Sequence, residues 1–432
     1  MATTAANARK LLSQGVGDWV TDTTSATSGA GTLVCSRLAD RADDFYNEQF
    51  VMVTSGTALG NVRRISDFTG TTGTVTPYIA FSGSIAASVT FELHRIDPTE
   101  KDQSIIEACR DVYPYLRKEI VDKTLVGSNP LPNSHFEDWV ADTTKPDYWT
   151  TAGTGITIAA NTTAENFRGG AKSVALTRAG TNGYLYISES EWPALLDFAN
   201  YNISVYSWVK SSATAQVRIQ VYTKAGTAGT EKTTNGTYHT GGGEWEKLKN
   251  ENITIPSDLR DIEIRLSSDA ANTVCYLDNT YIIGFPTYKY IVPKQFVGWP
   301  TEISYQLDTS TSTYGCDDVD EQLPWEKLFS WKKIDDGTNK FVLFPYQIPS
   351  GQKIIMKGHG YLSQPTGDTS NIELNQPDVK ALVAYAAYLL YDRLASKPSA
   401  EDVGRLEKEA SKWKRKWEDL KPPAILPMTM VT

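Results

Sequence analysis

Between Lys380 and Asp392 the chain carries no charged residue, only Ala, Leu, Val and Tyr. The run sits inside a predicted helix from Pro377 to Leu394, and a helix that is apolar on every face must be covered on every face. A second helix is expected from Ser399 to Leu420. There Val403, Leu406, Ala410, Trp413, Trp417 and Leu420 recur at steps of three and four, a narrow seam with Lys, Arg and Glu around it. Asn375 and Ser399 fit as N-caps, and Lys412, Lys414, Arg415 and Lys416 crowd the last turns, where the helix dipole favours cations. A hairpin of this kind needs partners, in its own chain or on a neighbour.

One partner is predicted within the chain. Asp97-Pro98-Thr99-Glu100 reads as a capped helix start, with Pro at the first helical position. Ile105, Cys109, Val112, Leu116 and Ile120 follow on one stripe toward Leu125, with Pro114 placing a kink near Tyr113. Val379, Leu382, Val383, Ala386 and Leu390 then hold the bundle. What remains for a neighbouring subunit is the row Tyr385, Tyr388 and Tyr391 and a Pro-broken docking tail over 422–432 with Ile425, Leu426 and Met428, while Trp413 and Trp417 read as core or subunit-interface anchors.

The other segments read as strands. Residues 1–95 are expected to form an all-β domain, with short runs at Thr32–Ser36, Gln49–Thr54, Asn61–Ser66, Gly73–Thr76 and Val89–His94 between Gly, Ser, Thr and Asp clusters. From 128 to 285 the chain becomes rich in Thr and Gly. Val217, Ile219 and Val221 alternate strictly, as do Ile262, Ile264 and Leu266, which is the pattern of a two-sheet sandwich. A second β segment spans 286–372, ahead of the hairpin at 373–421. The fold class is α+β multidomain: a small helical bundle (96–127 and 373–421) with flanking β segments and an inserted β-sandwich, a jelly roll.

Composition narrows the function. A net charge of -9 over 432 residues excludes a chain that is as a whole a nucleic-acid clamp. No apolar run approaches the ~18 residues of a membrane span. Met1 to Gln14 has Arg9 and Lys10 but no apolar core after them, so a cytoplasmic origin is expected. Cys35, Cys109, Cys275 and Cys316 lack metal or redox spacing, and His94, His135, His239 and His359 are isolated. Ser55 lacks the pattern of a nucleophile elbow. Gly169-Gly170-Ala171-Lys172-Ser173 lacks a glycine that a phosphate loop needs. Glu189 with Glu191, and Asp317 with Asp318, read as exposed acidic loops. No enzyme is expected.

Two resemblances add to this reading. Leu131-Pro132-Asn133-Ser134-His135-Phe136-Glu137, Tyr148-Trp149, Arg168 to Leu176, Tyr201 to Lys210, Trp245 and Tyr276-Leu277-Asp278-Asn279 occur in an order that resembles carbohydrate-binding-module jelly rolls of the family 4/9 type. The resemblance implies a structural calcium where first and last strands meet, here at Glu137 and Asp278. It also implies a glycan platform. Among the aromatic residues available, Tyr184, Trp192, Tyr222 and Trp245 are the candidates, beside Tyr186 and Tyr238, with filling of the sandwich as their alternative role. The second resemblance is carried by Ala381 to Leu394, Asp402 to Trp417, Arg64 to Phe68 and Phe91 to Ile96, which are similar to head-to-tail adaptor proteins of tailed bacteriophages. It implies a ring of about twelve subunits that docks on a portal protein, meets tail or nozzle proteins and surrounds genomic double-stranded DNA without specific binding. It places the chain in the neck of a virion assembled in the host cytoplasm. The expectation is therefore a structural adaptor with an outward jelly roll, and the alternative is a glycan-binding adhesin or tail-fibre-associated protein.

Overall fold

The computed structural model describes residues 3–424, apart from 140, 154, 180–182, 213–216, 270–272, 308–324 and 398–401. The chain is mostly β-sheet with few helices, and it divides into two compact units: residues 1–118 with 361–426, and residues 119–360.

Among the described residues the first unit holds four α-helices and a β domain. Helix α1 (Ala5–Val16) starts where the Thr4 side chain accepts the Asn7 amide and stops at Gly17, whose φ of 75° is left-handed. Helix α2 (Pro98–Asp111) starts where Asp97 accepts the Thr99 amide. Helices α3 (Gln376–Ala395) and α4 (Val403–Leu420) form the hairpin, and Asp402 caps α4 by accepting the Arg405 amide. Leu12, Ile105, Cys109, Val112, Leu116, Leu382 and Leu390 share one core with Trp413 and Trp417. Each buried aliphatic side chain there contributes about 1.5–3 kcal/mol. The β domain is a six-stranded antiparallel sheet in the order Val20–Thr23, Thr90–His94, Phe50–Val53, Val62–Thr69, Thr74–Pro77, Leu33–Val34.

Buried charges tie these parts together. Lys101 on α2 is 0% exposed, and its Nζ donates to Ser13 Oγ and Asp18 Oδ1, both at 2.9 Å. It also lies 3.0 Å from His94 Nδ1, while His94 Nε2 lies 3.1 Å from Glu92 Oε2. With Lys101 as donor, His94 accepts at Nδ1 and donates from Nε2 to Glu92. Arg9 on α1 reaches Asp102 at 3.0 Å and Asp368 at 2.6 Å.

Several expectations are corrected. Residues 1–95 are not all-β, because Ala5–Val16 is helical: Leu12 and Ala8 face the core from one side of a short Ala-rich segment. The helix after Asp97 ends at Asp111. Residues from Lys118 to Val126 form a strand instead, so Ile120 leaves the helical stripe for the core of the second unit. Val403 and Leu420, the ends of the expected seam, are exposed. The proposed cap Ser399 and the tail residues Ile425, Leu426 and Met428 lie outside the described residues.

The second unit is a β-sandwich with two smaller sheets. One sandwich sheet runs Ile156–Asn161, Ser173–Arg178, Val274–Ile283, Asn202–Ser211, Trp245–Thr254. The other runs Thr230–Tyr238, Val217–Ala225, Leu259–Ser268, Gly183–Ser188, Thr150–Ala152. Phe136, Trp149, Leu185, Ile219, Ile264 and Leu277 belong to the core between them. The sandwich strands run from Thr150 to Ile283, and the same compact unit also holds residues 119–126 and the strands over 289–360. Among the described residues no helix is long and apolar enough to cross a membrane.

Candidate functional site

The second sandwich sheet has two unlike faces, and strict alternation creates them. Leu185, Ile187, Val217, Ile219, Val221, Ile262, Ile264 and Leu266 turn into the core. The residues between them turn the other way: Tyr184 and Tyr186, Glu263 and Arg265, Arg218, Gln220 and Tyr222. Register places Arg265 opposite both Tyr186 and Gln220, Ser267 opposite Tyr184, and Glu263 opposite Tyr222.

Arg265 is the centre of this face. Its guanidinium carbon lies 4.6 Å from the ring centroid of Tyr184 and 4.3 Å from that of Tyr222. Nε donates to Glu263 Oε2 at 2.6 Å, and the Arg265 side chain is 15% exposed. A planar cation between two aromatic faces keeps little rotational freedom, so its ordering cost is met before any ligand arrives. Arg218 repeats the motif on the neighbouring strand, 4.7 Å over Tyr238 and 3.4 Å from Asp269. Tyr238 donates to the same Asp269 carboxylate at 2.5 Å. Burial holds the Tyr186 and Tyr222 hydroxyls above the usual tyrosine value, and the bond to Asp269 does so for Tyr238. All three remain protonated donors at neutral pH. The face thus offers aromatic planes, for stacking on apolar sugar faces, beside charge-assisted donors.

Only part of the expected aromatic set meets here. Tyr184 and Tyr222 share the face, as do Tyr186 and Tyr238. Trp192 does not: it packs on Tyr148 at 5.6 Å and Phe341 at 6.3 Å, beside the three-stranded sheet of the same unit. Trp245 begins a strand of the opposite sheet, paired with Lys210. Arg265 and Arg218 were not singled out from the sequence. The signal was available, because the apolar alternation of Ile262, Ile264 and Leu266 sends Glu263 and Arg265 to the outer face.

Glu137 and Asp278 do come together, around the loop Arg168–Lys172. Glu137 Oε1 accepts the amides of Ala171 at 2.8 Å and Lys172 at 3.0 Å. Asp278 accepts those of Arg168 at 2.7 Å and Gly169 at 3.1 Å through Oδ2, and that of Asn279 at 2.8 Å through Oδ1. Gly170 has φ 71°, and a Cβ there would collide with Glu137 Oε1. Burial pushes both carboxyls up to about 7 against the pull of these amides, and Glu137 adds Coulombic repulsion at Asp278. The charge deficit fits a cation, and Glu137 Oε2 has no protein donor among the described residues. The protein supplies few ligands beyond these: among the described residues no three His, Cys, Asp or Glu are grouped to hold a metal.

The expected assembly residues lie in the first unit. Tyr385, Tyr388 and Tyr391 are half-buried against its helical core, and Trp413 and Trp417 are each 4% exposed. Of the two roles expected for these tryptophans, core or subunit interface, the structure places both in the core of their own unit.

Residues 128–272 match the carbohydrate binding domain family of type 4/9. The chain is similar to the CBM22-1 xylan-binding domain of Paenibacillus barcinonensis Xyn10C, at 21% identity and a TM-score of 0.28, over 37% of this chain and 93% of that one. It is similar to TmCBM61, solved with β-1,4-galactotriose, at 18% identity and a TM-score of 0.25, over 36% of this chain and 98% of that one. It is also similar to the enzymatically active domain of bacteriophage CBA120 tailspike protein 4, at 13% identity and a TM-score of 0.27, over 36% of this chain and 21% of that one. No curated protein matches the chain. Over residues 128–272, the chain carries a carbohydrate-binding domain of the jelly-roll kind.

Proposed function

We propose that the protein binds glycans through the outer face of the sheet that carries Tyr184, Tyr222 and Arg265. The observation that carries this reading is Arg265 held between two tyrosine rings, with Glu263 fixing its Nε edge. Ring planes beside charge-assisted donors are what sugar binding uses, so binding is the activity this face supports. Affinity electrophoresis of the full chain in polysaccharide gels tests the reading. Tyr184→Ala and Tyr222→Ala should each weaken retardation about ten- to a hundredfold, the loss of one stacking anchor. Trp245→Ala, on the other sheet, should leave it unchanged. Equal losses in all three variants would move the site away from this face.

We also propose calcium at Glu137 and Asp278, where it would neutralise two buried carboxylates and pin the Arg168–Lys172 loop. Calcium in excess over its dissociation constant by about a hundredfold should add ~2.7 kcal/mol to the unit's stability. The sign with pH follows from the raised carboxyls. Below about 7 both carry protons that compete with the ion, and above it both are free, so the calcium-dependent rise in melting temperature should grow from acid to neutral pH. A rise that Glu137→Gln with Asp278→Asn leaves intact would place the ion elsewhere.

The ring-forming adaptor, with a portal, tail proteins and DNA as partners, is the other reading. It is supported by the resemblance of the hairpin sequence and by the half-exposed row Tyr385, Tyr388 and Tyr391 alone. Glycan binding is supported by a formed site, so it leads.

A further inference from the structure

We propose that the glycan is acidic, with uronate carboxylates as the groups read by Arg265 and Arg218; this rests on the glycan-binding reading above. A guanidinium has five N–H donors, and Arg265 spends only Nε on the protein, to Glu263. Its Nη1 and Nη2 have no protein acceptor among the described residues. The Tyr184 and Tyr222 rings lie against the guanidinium and Glu263 covers its Nε side, so the paired Nη groups are the part left to a ligand. That pair matches the two coplanar oxygens of a carboxylate, which a neutral hydroxyl cannot engage in both bonds at once.

The neighbours of Arg265 reinforce this. Gln220 sits opposite Arg265 and Arg218 lies two residues along the same strand, so Arg218 and Arg265 are diagonal neighbours on the sheet, about 7–8 Å apart at the backbone by strand geometry. Arg218 is also aromatic-backed, and its Nε is buried without a partner. The Tyr184 and Tyr186 rings meet edge to face at 5.4 Å, which sets two phenol donors side by side. Glu263 and Asp269 are already engaged by Arg265, Arg218 and Tyr238, while Glu231 and Asp261 lie at the Tyr222 end of the face beside Lys224. The unspent Nη groups of Arg265 favour a ligand group that brings acceptors. Two cations at a fixed spacing favour a ligand that carries repeated negative charge.

The test uses the full chain with polygalacturonate, alginate and hyaluronate, each beside its own carboxyl-reduced form, and with neutral xylan and mixed-linkage β-glucan. At least one uronate polymer should bind about tenfold or more tighter than its reduced form. That preference should shrink between 50 and 200 mM salt. Arg265→Gln should abolish the preference, and Arg265→Lys should keep part of it, because charge survives while the bidentate edge is lost. An unchanged melting temperature in both variants excludes unfolding as the cause. Equal binding of the acidic and reduced forms, or binding of neutral glycans alone, overturns the acidic-ligand proposal and leaves the glycan-binding reading standing. Binding of no polymer in the panel overturns both, with Tyr184→Ala then indistinguishable from the parent protein.

Discussion

Lys101→Met should destabilise the helical unit by about 3–5 kcal/mol, the cost of stranding a buried charge. The ammonium is fully enclosed and divides its donors among Ser13, Asp18 and His94. Methionine matches its length but leaves the Asp18 carboxylate with only the Ile96 amide as donor among the described residues, in a site 8% exposed. His94 loses the donor at Nδ1 as well. In a unit of this size such a loss lowers the melting temperature by about 10 °C. Hydrogen exchange at amides of α1 and α2 reads it locally, without interference from the sandwich. Asp18→Asn combined with Lys101→Met should recover much of the loss, because no charge is then left unpaired. The pH dependence has a definite sign. Burial depresses Lys101 below the usual lysine value, an effect only partly offset by Asp18. Just under that usual value the unfolded chain therefore binds more protons, and the parent protein gains stability relative to Lys101→Met as pH rises through the window. A loss under about 1 kcal/mol, the size expected of an exposed ion pair, would mean that the cluster is solvated.

None of that cluster was legible in the sequence. Lys101 and Asp18 are 83 residues apart and Arg9 and Asp368 are 359 apart, and a charged residue has no periodic signature that marks it as buried. Periodicity did locate the sandwich, since Val217, Ile219 and Val221, and Ile262, Ile264 and Leu266, line its core as the alternation predicts. It missed Thr230–Tyr238, whose exposed Thr, Lys and Glu residues bury too little to alternate. It missed α1 because a 12-residue Ala-rich segment presents only a short stripe. Aromatic content pointed to a platform but not to its members. Trp192 and Trp245 were as plausible as Tyr184 until the fold placed Trp192 at the start of a short 3-10 helix and Trp245 on the opposite sheet. Glu137 and Asp278 met because the motif resemblance carried long-range information that local pattern does not contain.

Trp417→Ala should cost the helical unit about 3–5 kcal/mol, the range for emptying a buried indole site, and the loss should not depend on protein concentration. The sequence left Trp413 and Trp417 of the hairpin α3–α4 as core or interface anchors, and a tryptophan at an interface would behave differently. Its removal would weaken association and spare the dilute monomer. Here the Trp417 ring meets Tyr115 edge-on at 6.0 Å and Tyr385 at 5.1 Å, both in its own unit. Trp413 lies so close to α1 that a Cβ on Gly15 would come to 3.0 Å from the indole. Cavity formation and lost ring contacts then act within one chain. Tyr388→Ala and Tyr391→Ala, on half-exposed positions, should cost less than half as much and so serve as the comparison. Melting curves across a hundredfold range of concentration separate the cases. A midpoint for Trp417→Ala that shifts only at high concentration would return this tryptophan to a subunit interface, and with it the ring-forming reading of the hairpin.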